Sequence, residues 1–154
     1  MVLSRNELGL RIATDWVIRQ PLSIRAFQTK LMFLRDLGRE AEATKEETAR
    51  LVEVEFLVTT TNTLPSETIL FLIGNASSLG TWDDAGLKLN RDSESIWRAK
   101  AKIPRGDLLF KITAGSADKV ETRADGRSIS NRRIRVQIPG EIRANVEALK
   151  VVDK

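Results

Sequence analysis

The hydrophobic period of the chain changes at Leu51, and nothing else restricts the fold as much. Up to about Arg50 the apolar residues recur every three or four positions, the spacing of one helix face. From Leu51 they alternate. In LVEVEFLV, Val52, Val54, Phe56 and Val58 fall on one side and Glu53, Glu55 and Leu57 on the other, the two-residue period of a half-buried strand. The sequence therefore divides into a helical segment, residues 1–50, and a strand-forming domain, residues 51–154.

The helical part reads as two or three helices. Ser4 and Glu7 have the spacing of a capping box, in which a hydroxyl and a carboxylate satisfy free N–H groups at a helix start. Leu8, Ile12 and Trp16 follow at four-residue spacing, with Leu10 and Val17 beside them. Pro21 removes a backbone donor and disfavours helix at Gln20, so a break falls there. Ser23 can cap a second helix carrying Ile24, Phe27, Leu31 and Leu34, widened by Met32, Phe33 and Leu37. Gly38 is a candidate stop. Thr44 and Glu47 repeat the capping spacing and suggest a short third helix through about Arg50. Two roles are open for this segment. It can cover a face or edge of the following domain, or it can dock a partner chain or a second copy.

After LVEVEFLV come the turn-rich TTTNTLPSE and ILFLIG, a short fully apolar strand as found in a sandwich interior. The run stops at Gly74, and a polar loop leads to Leu79-Gly80-Thr81-Trp82. Leu87–Leu89 is a minimal strand, and Asn90–Ser95 reads as a polar turn. Ile96–Ile103 is a strand with Arg98, Lys100 and Lys102 on one face. Pro104-Arg105-Gly106-Asp107 turns the chain with Gly106 available for positive φ. In the next strand Leu108, Phe110 and Ile112 face one way, and Leu109, Lys111 and Thr113 the other. A long polar loop, with a short strand near Lys119–Thr122, leads to Arg133–Ile138, where Ile134, Val136 and Ile138 alternate. Ile142–Val152 supplies the last strand. Seven or eight short strands at roughly ten-residue spacing, without helices between them, predict a mainly β fold, an immunoglobulin-like antiparallel β-sandwich behind an N-terminal α-helical segment.

Composition narrows the chemistry. The 154 residues include no Cys, His or Tyr. Disulfides, thiolate nucleophiles and imidazole bases are excluded, and zinc and copper lose their commonest ligands. Carboxylates, Lys, Ser and Thr remain, so an enzyme is not expected; nor is any cofactor or metal. Asp83-Asp84 is too small a cluster for calcium. With 25 basic and 21 acidic residues the net charge of +4 argues weakly for nucleic acid. Five arginines, Arg123, Arg127, Arg132, Arg133 and Arg135, crowd around the single acid Asp125. They read as a charged surface loop or as a phosphate contact, without interleaved aromatics for stacking on bases. No apolar run is long enough for a membrane span, and the first twenty residues mix charge into every turn, unlike a secretory segment. A cytoplasmic location is expected.

The order Phe71-Leu72-Ile73-Gly74-Asn75, Leu79-Gly80-Thr81-Trp82, Ile96-Trp97-Arg98-Ala99, Ile103-Pro104-Arg105-Gly106 and Leu109-Phe110-Lys111-Ile112 resembles the starch-binding domains of carbohydrate-binding module family 20. The likeness runs from about Leu51 to Val152. Lys119–Thr122, Asp125–Arg127 and Ser130–Arg132 look most like members found beside bacterial esterase-like domains. The resemblance implies non-catalytic binding of an α-1,4-linked glucan, starch or glycogen. An indole offers a flat apolar surface to the apolar face of a sugar, and neighbouring polar groups bond the hydroxyls. It assigns Trp82, Lys111 and Asn131 to the main carbohydrate-binding site and gives Trp97 a structural role.

The chain also departs from the family. The main site of the family pairs two indoles, and the stretch that would carry the second is Lys119-Val120-Glu121-Thr122-Arg123 here. Esterase-linked relatives often place a Trp after Gly-Ser, where this chain has Ala117. The second site of the family uses tyrosines, which this chain lacks. Loss of one stacking ring implies binding weaker by ~1 kcal/mol or more, several-fold in affinity. Read without the resemblance, Trp82 is a loop residue folded onto the sandwich edge, Lys111 a solvated strand residue and Asn131 a turn residue. The alternative function is a protein-interaction or assembly module whose sandwich has lost its sugar site and whose helices dock a partner or self-associate.

Overall fold

The computed structural model describes residues 2–82, 86–116 and 119–150. Three helices come first: α1, Arg5–Arg19; α2, Ile24–Asp36; and α3, Glu40–Arg50. The Ser4–Glu7 capping box forms as its spacing predicts, with the Glu7 amide donating to the Ser4 hydroxyl at 3.1 Å and the Ser4 amide to the Glu7 carboxylate at 2.7 Å. Ser23 caps α2 through the Ala26 amide. Gly38 ends α2, with the amides of Gly38 and Arg39 closing on the carbonyls of Arg35 and Leu34.

Two helical expectations need correction. α3 begins at Glu40, so Thr44 lies inside the helix, its hydroxyl 3.4 Å from the Glu40 carboxylate, and caps nothing. Gly38 releases the chain early enough for α3 to start one turn sooner than Thr44 would allow. The Leu8–Ile12 line of α1 does not pack inward; Ile12 is 61% exposed. The buried side runs through Ala13, with Leu10 and Val17 half-buried, and a Cβ on Gly9 would stand 2.3 Å from the Phe33 ring. Close approach of α1 to Phe33 at Gly9 selects that face over the more regular apolar line. Phe27, Leu31, Leu34 and Ala43 make a small helical core, over which the Arg50 guanidinium lies 4.5 Å from the centre of the Phe27 ring.

Ten strands follow: β1, Leu51–Thr60; β2, Phe71–Gly74; β3, Leu87–Lys88; β4, Asn90–Ser93; β5, Ile96–Pro104; β6, Gly106–Thr113; β7, Glu121–Thr122; β8, Arg132–Val136; β9, Gly140–Val146; and β10, Ala148–Leu149. They form a sheet of order β4-β5-β1-β9, a sheet of order β3-β2-β6-β8 and a β7-β10 pair. The two four-stranded sheets make the sandwich, and Phe56 and Phe110 meet edge to face across it at 5.6 Å. The β1 alternation holds throughout, with Val52, Val54, Phe56 and Val58 all buried. Trp97 is buried, with the Arg91 guanidinium 4.8 Å from its ring centre, a structural role.

The strand pattern departs from expectation at four places. Asn90–Ser93 pairs with β5 although its sequence is that of a turn; it is an edge strand with a bulge between Arg91 and Ser93, so no apolar alternation is required of it. β9 runs parallel to β1, from Val54↔Gly140 to Thr60↔Val146, whereas the other paired strands are antiparallel. Side-chain alternation carries no information on strand direction. The C-terminal strand is broken into β9 and β10, which pair with different partners; positions 151–152, expected to continue it, lie outside the described residues. β8 stops at Val136, and Ile138, 77% exposed, sits in the turn toward Gly140 instead of facing inward.

The helices and the sandwich share a core. Ile24, 1% exposed, belongs to the apolar cluster of the sandwich. Beside it the Leu22 carbonyl accepts from the Asp107 amide at 2.7 Å. That approach passes over Gly106, where φ is +148° and an added Cβ would lie 2.4 Å from the Leu22 oxygen. Arg50 and Arg105 complete the seam. Arg50 donates to the carbonyls of Arg105 and Pro21, and Arg105 to that of Ala49. Ile24→Ala should therefore lower the stability of the whole protein by about 2–4 kcal/mol in urea unfolding. A change below about 0.5 kcal/mol, typical of a surface site, would show that the helices do not belong to the folding unit.

Candidate functional site

The candidate site grows from the end of β2. Gly74 passes the chain to Asn75, whose side chain is built into the sheet. Its amide group donates to the Asp107 carbonyl at 3.1 Å, and its oxygen accepts from the Leu109 amide at 3.0 Å. Asn75 thus replaces one rung of the β2–β6 ladder and fixes where the following loop departs. Ala76 and Leu79 are fully buried and tie the loop to the core, and the Leu79 amide returns to the Ala76 carbonyl at 2.9 Å.

The tight turn Ser77–Trp82 then runs left-handed at its end. Gly80 has φ 78°, Thr81 φ 49° and Trp82 φ 67°. Gly80 adopts this without penalty; Thr81 and Trp82 each cost on the order of 1 kcal/mol or more. The strain is held by contacts at the other end of the turn. Gln28 of α2 donates to the Asn75 carbonyl at 3.0 Å, and its oxygen accepts from the Ser77 amide at 2.7 Å and the Ser77 hydroxyl at 2.9 Å. Ser78 donates to the Lys102 carbonyl of β5. The outcome is an indole with 37% of its surface open.

Trp82 lines a cleft of about 600 Å³. Leu109 of β6 and Arg133 of β8 also line it, together with Gln20 and Leu22 from the connection between α1 and α2 and Arg25 from the first turn of α2. Leu109 and Arg133 are register partners across β6 and β8. Lys111 is two residues further along β6 on the same face, ~7 Å away. The last pair of that ladder is Phe110↔Arg132. Carried on by one residue, the register sets Asn131 beside Lys111. Lys111 and, by that extension, Asn131 lie on the outer face of the β3-β2-β6-β8 sheet, and Trp82 belongs to the turn that follows β2. Trp82 alone of the three lines the cleft.

The arginine-rich segment is largely committed. Arg132 grips the buried Glu121 carboxylate at 2.7 and 2.9 Å and also donates to the Asn145 carbonyl. Glu121 accepts as well from the Ile112 amide, so its carboxylate ties β7 to both β8 and β6. Arg133 and Arg135 both hold Asp107, at 2.9 and 3.1 Å, and Arg127 holds Asp125 at 3.2 Å. Four of the five arginines thus have carboxylate partners, and a phosphate surface loses its support. In the stretch Lys119–Arg123, which would carry the second indole, Glu121 and Thr122 are buried and pair with Leu149 and Ala148. Among the described residues no cluster of acids suits a metal ion. Asp83-Asp84 and Ala117 lie outside the described residues.

The profile described as "Starch binding domain" matches residues 51–141, more than half of the chain. The chain belongs to the starch-binding domain family. Membership implies starch or glucan binding by a non-catalytic module. Among solved structures, the glycoside hydrolase family 15 glucoamylase from Hypocrea jecorina is similar in fold, at 17% identity and TM-score 0.52 over 64% of this chain. This chain spans only 18% of that enzyme's length. The family 20 module of the maltotetraose-forming amylase from Pseudomonas saccharophila STB07 aligns at 21% identity and TM-score 0.42, over 59% of this chain and 100% of its own. No curated protein matches the sequence as a relative. The starch-binding profile ends within β9 and leaves out α1–α3, so Gln28, Leu22 and Arg25 could not be found by family likeness. Their only signal in the sequence is the Pro21–Ser23 break.

Two expectations follow. Asp107, on the rim of the cleft, has its carboxyl held below the usual carboxylate range by hydrogen bonds from Arg133 and Arg135. The folded value lies below the unfolded one, so this stabilisation is complete above pH about 4 and disappears as pH falls through the folded value. Urea midpoints of Asp107→Asn and wild type should differ above pH 5 and converge toward pH 2; a constant difference would refute the assignment. Gln28→Ala should cost about 1 kcal/mol and speed hydrogen exchange at Ser77 far more than in the β1 core.

Proposed function

We propose that the protein binds an α-1,4-linked glucan, starch or glycogen, without transforming it. One glucose ring stacks on the open indole of Trp82, while Lys111 and Asn131 bond hydroxyls on the outer face of the β3-β2-β6-β8 sheet. The observation that supports this reading most is the placement of Trp82. A strained left-handed turn, secured by Asn75, Leu79 and Gln28, holds the ring partly open over a cleft instead of folding it into the core.

Flat aromatic surface and flanking donors are what a sugar ring requires, because its axial C–H groups are apolar and its rim is polar. A strand lysine offers three donors on a long stem, and an asparagine both donor and acceptor. The stretch Lys119–Arg123 carries no Trp, so one indole carries the stacking and affinity is low for the family.

Affinity electrophoresis in glycogen or amylopectin tests the reading. Wild type should be retarded relative to a gel without polysaccharide. Trp82→Ala should lose the retardation, and Lys111→Ala should reduce it several-fold, as expected for ~1 kcal/mol of lost hydrogen bonding. Equal migration of wild type and Trp82→Ala would remove Trp82 from the site and the reading with it.

A further inference from the structure

We propose that the connection between α1 and α2 and the first turn of α2, Gln20–Arg25, form a working wall of the glucan site, so that the helical segment selects the ligand together with the sandwich. This rests on the reading that Trp82 stacks on glucan. The segment lies outside the residues matched to the starch-binding family, yet it lines the same cleft of about 600 Å³ as Trp82, within the size range of small-molecule sites. A sugar seated on Trp82 over Leu109 and Arg133 therefore also meets the turn.

The chemistry of the wall suits a sugar. Pro21 and Leu22 contribute apolar surface to the lining that they share with the indole. Gln20 uses its carboxamide oxygen to hold the Trp16 indole N–H at 3.1 Å, which leaves the Nε2 end as a donor for hydroxyls. Arg25 is exposed at the start of α2 and carries a planar set of donors into the cleft lining. The wall is also rigid. The Leu22 carbonyl is fixed by the Asp107 amide at 2.7 Å, the Ser23 amide by the Gln20 carbonyl at 3.0 Å, and the Pro21 carbonyl by Arg50. The same helix reaches the Trp82 turn through Gln28. Both walls are thus set by α2, and a ligand meets them without an ordering cost.

The test is a titration of the full-length protein, labelled with nitrogen-15, with maltoheptaose. Backbone amides of Gln20, Leu22 and Arg25 should shift along the same saturation curve as the Trp82 indole N–H. Gln20→Ala and Arg25→Ala should each raise Kd by about two- to ten-fold, the effect of one lost hydrogen bond, with the core signals of Val54 and Val58 unmoved. If the Trp82 indole saturates while the turn stays silent, or if both variants bind as wild type does, the wall is a bystander and only the Trp82 reading survives. If neither the indole nor the turn responds, the glucan reading falls and takes this inference with it.

Discussion

The seam between the helices and the sandwich centres on the hydrogen bond from the Asp107 amide to the Leu22 carbonyl. It forms because Gly106 lets two backbones approach where a Cβ would leave 2.4 Å. Its neighbours follow from it. Ile24 drops into the sandwich core, Arg50 and Arg105 exchange carbonyl contacts across the seam, and Gln28 comes within reach of the loop that ends in Trp82. Without that approach, the Asn75–Ser77 start of the Trp82 turn would lose the contact from α2. The contact energy is modest for any single bond, but the geometry is cooperative, since each bond fixes the donor or acceptor that the next one needs.

Much of the fold was legible because it depends on local period. The alternation of Val52, Val54, Phe56 and Val58 and the two serine caps report directly on burial and on unsatisfied N–H groups, and both appear where the residues put them. What was not legible depends on tertiary choices. Leu8 and Ile12 form the more regular helical stripe, yet the fold buries the face with Gly9 and Ala13, because small residues allow the closer approach to Phe33. Asn90–Ser93 has no apolar signal because an edge strand can be formed by backbone pairing alone. The direction of β9 is invisible in a pattern that reads the same both ways.

The site divides in the same manner. Trp82, Lys111 and Asn131 belong to motifs whose order survives in the chain, and the β6–β8 register sets the latter two side by side. The ion pairs that dissolve the arginine cluster were hidden, because Asp107 and Glu121 lie in strands separated from those arginines by loops. The helical wall was hidden for a different reason. A glutamine, a leucine and an arginine around a proline are ordinary helix-linker residues, and only the docking at Gly106 brings them to the indole.

The parallel pairing of β1 with β9 has a kinetic consequence. Thr59 and Asn145 hydrogen-bond across 86 positions of sequence, and β1 sits between β9 and β5 at the centre of its sheet. The helices can close on their neighbours early, but the central strand keeps one open edge until nearly the whole chain has been brought together. Folding should be slow for a chain of this size. During synthesis, an unpaired β1 edge is the surface most exposed to wrong strand partners.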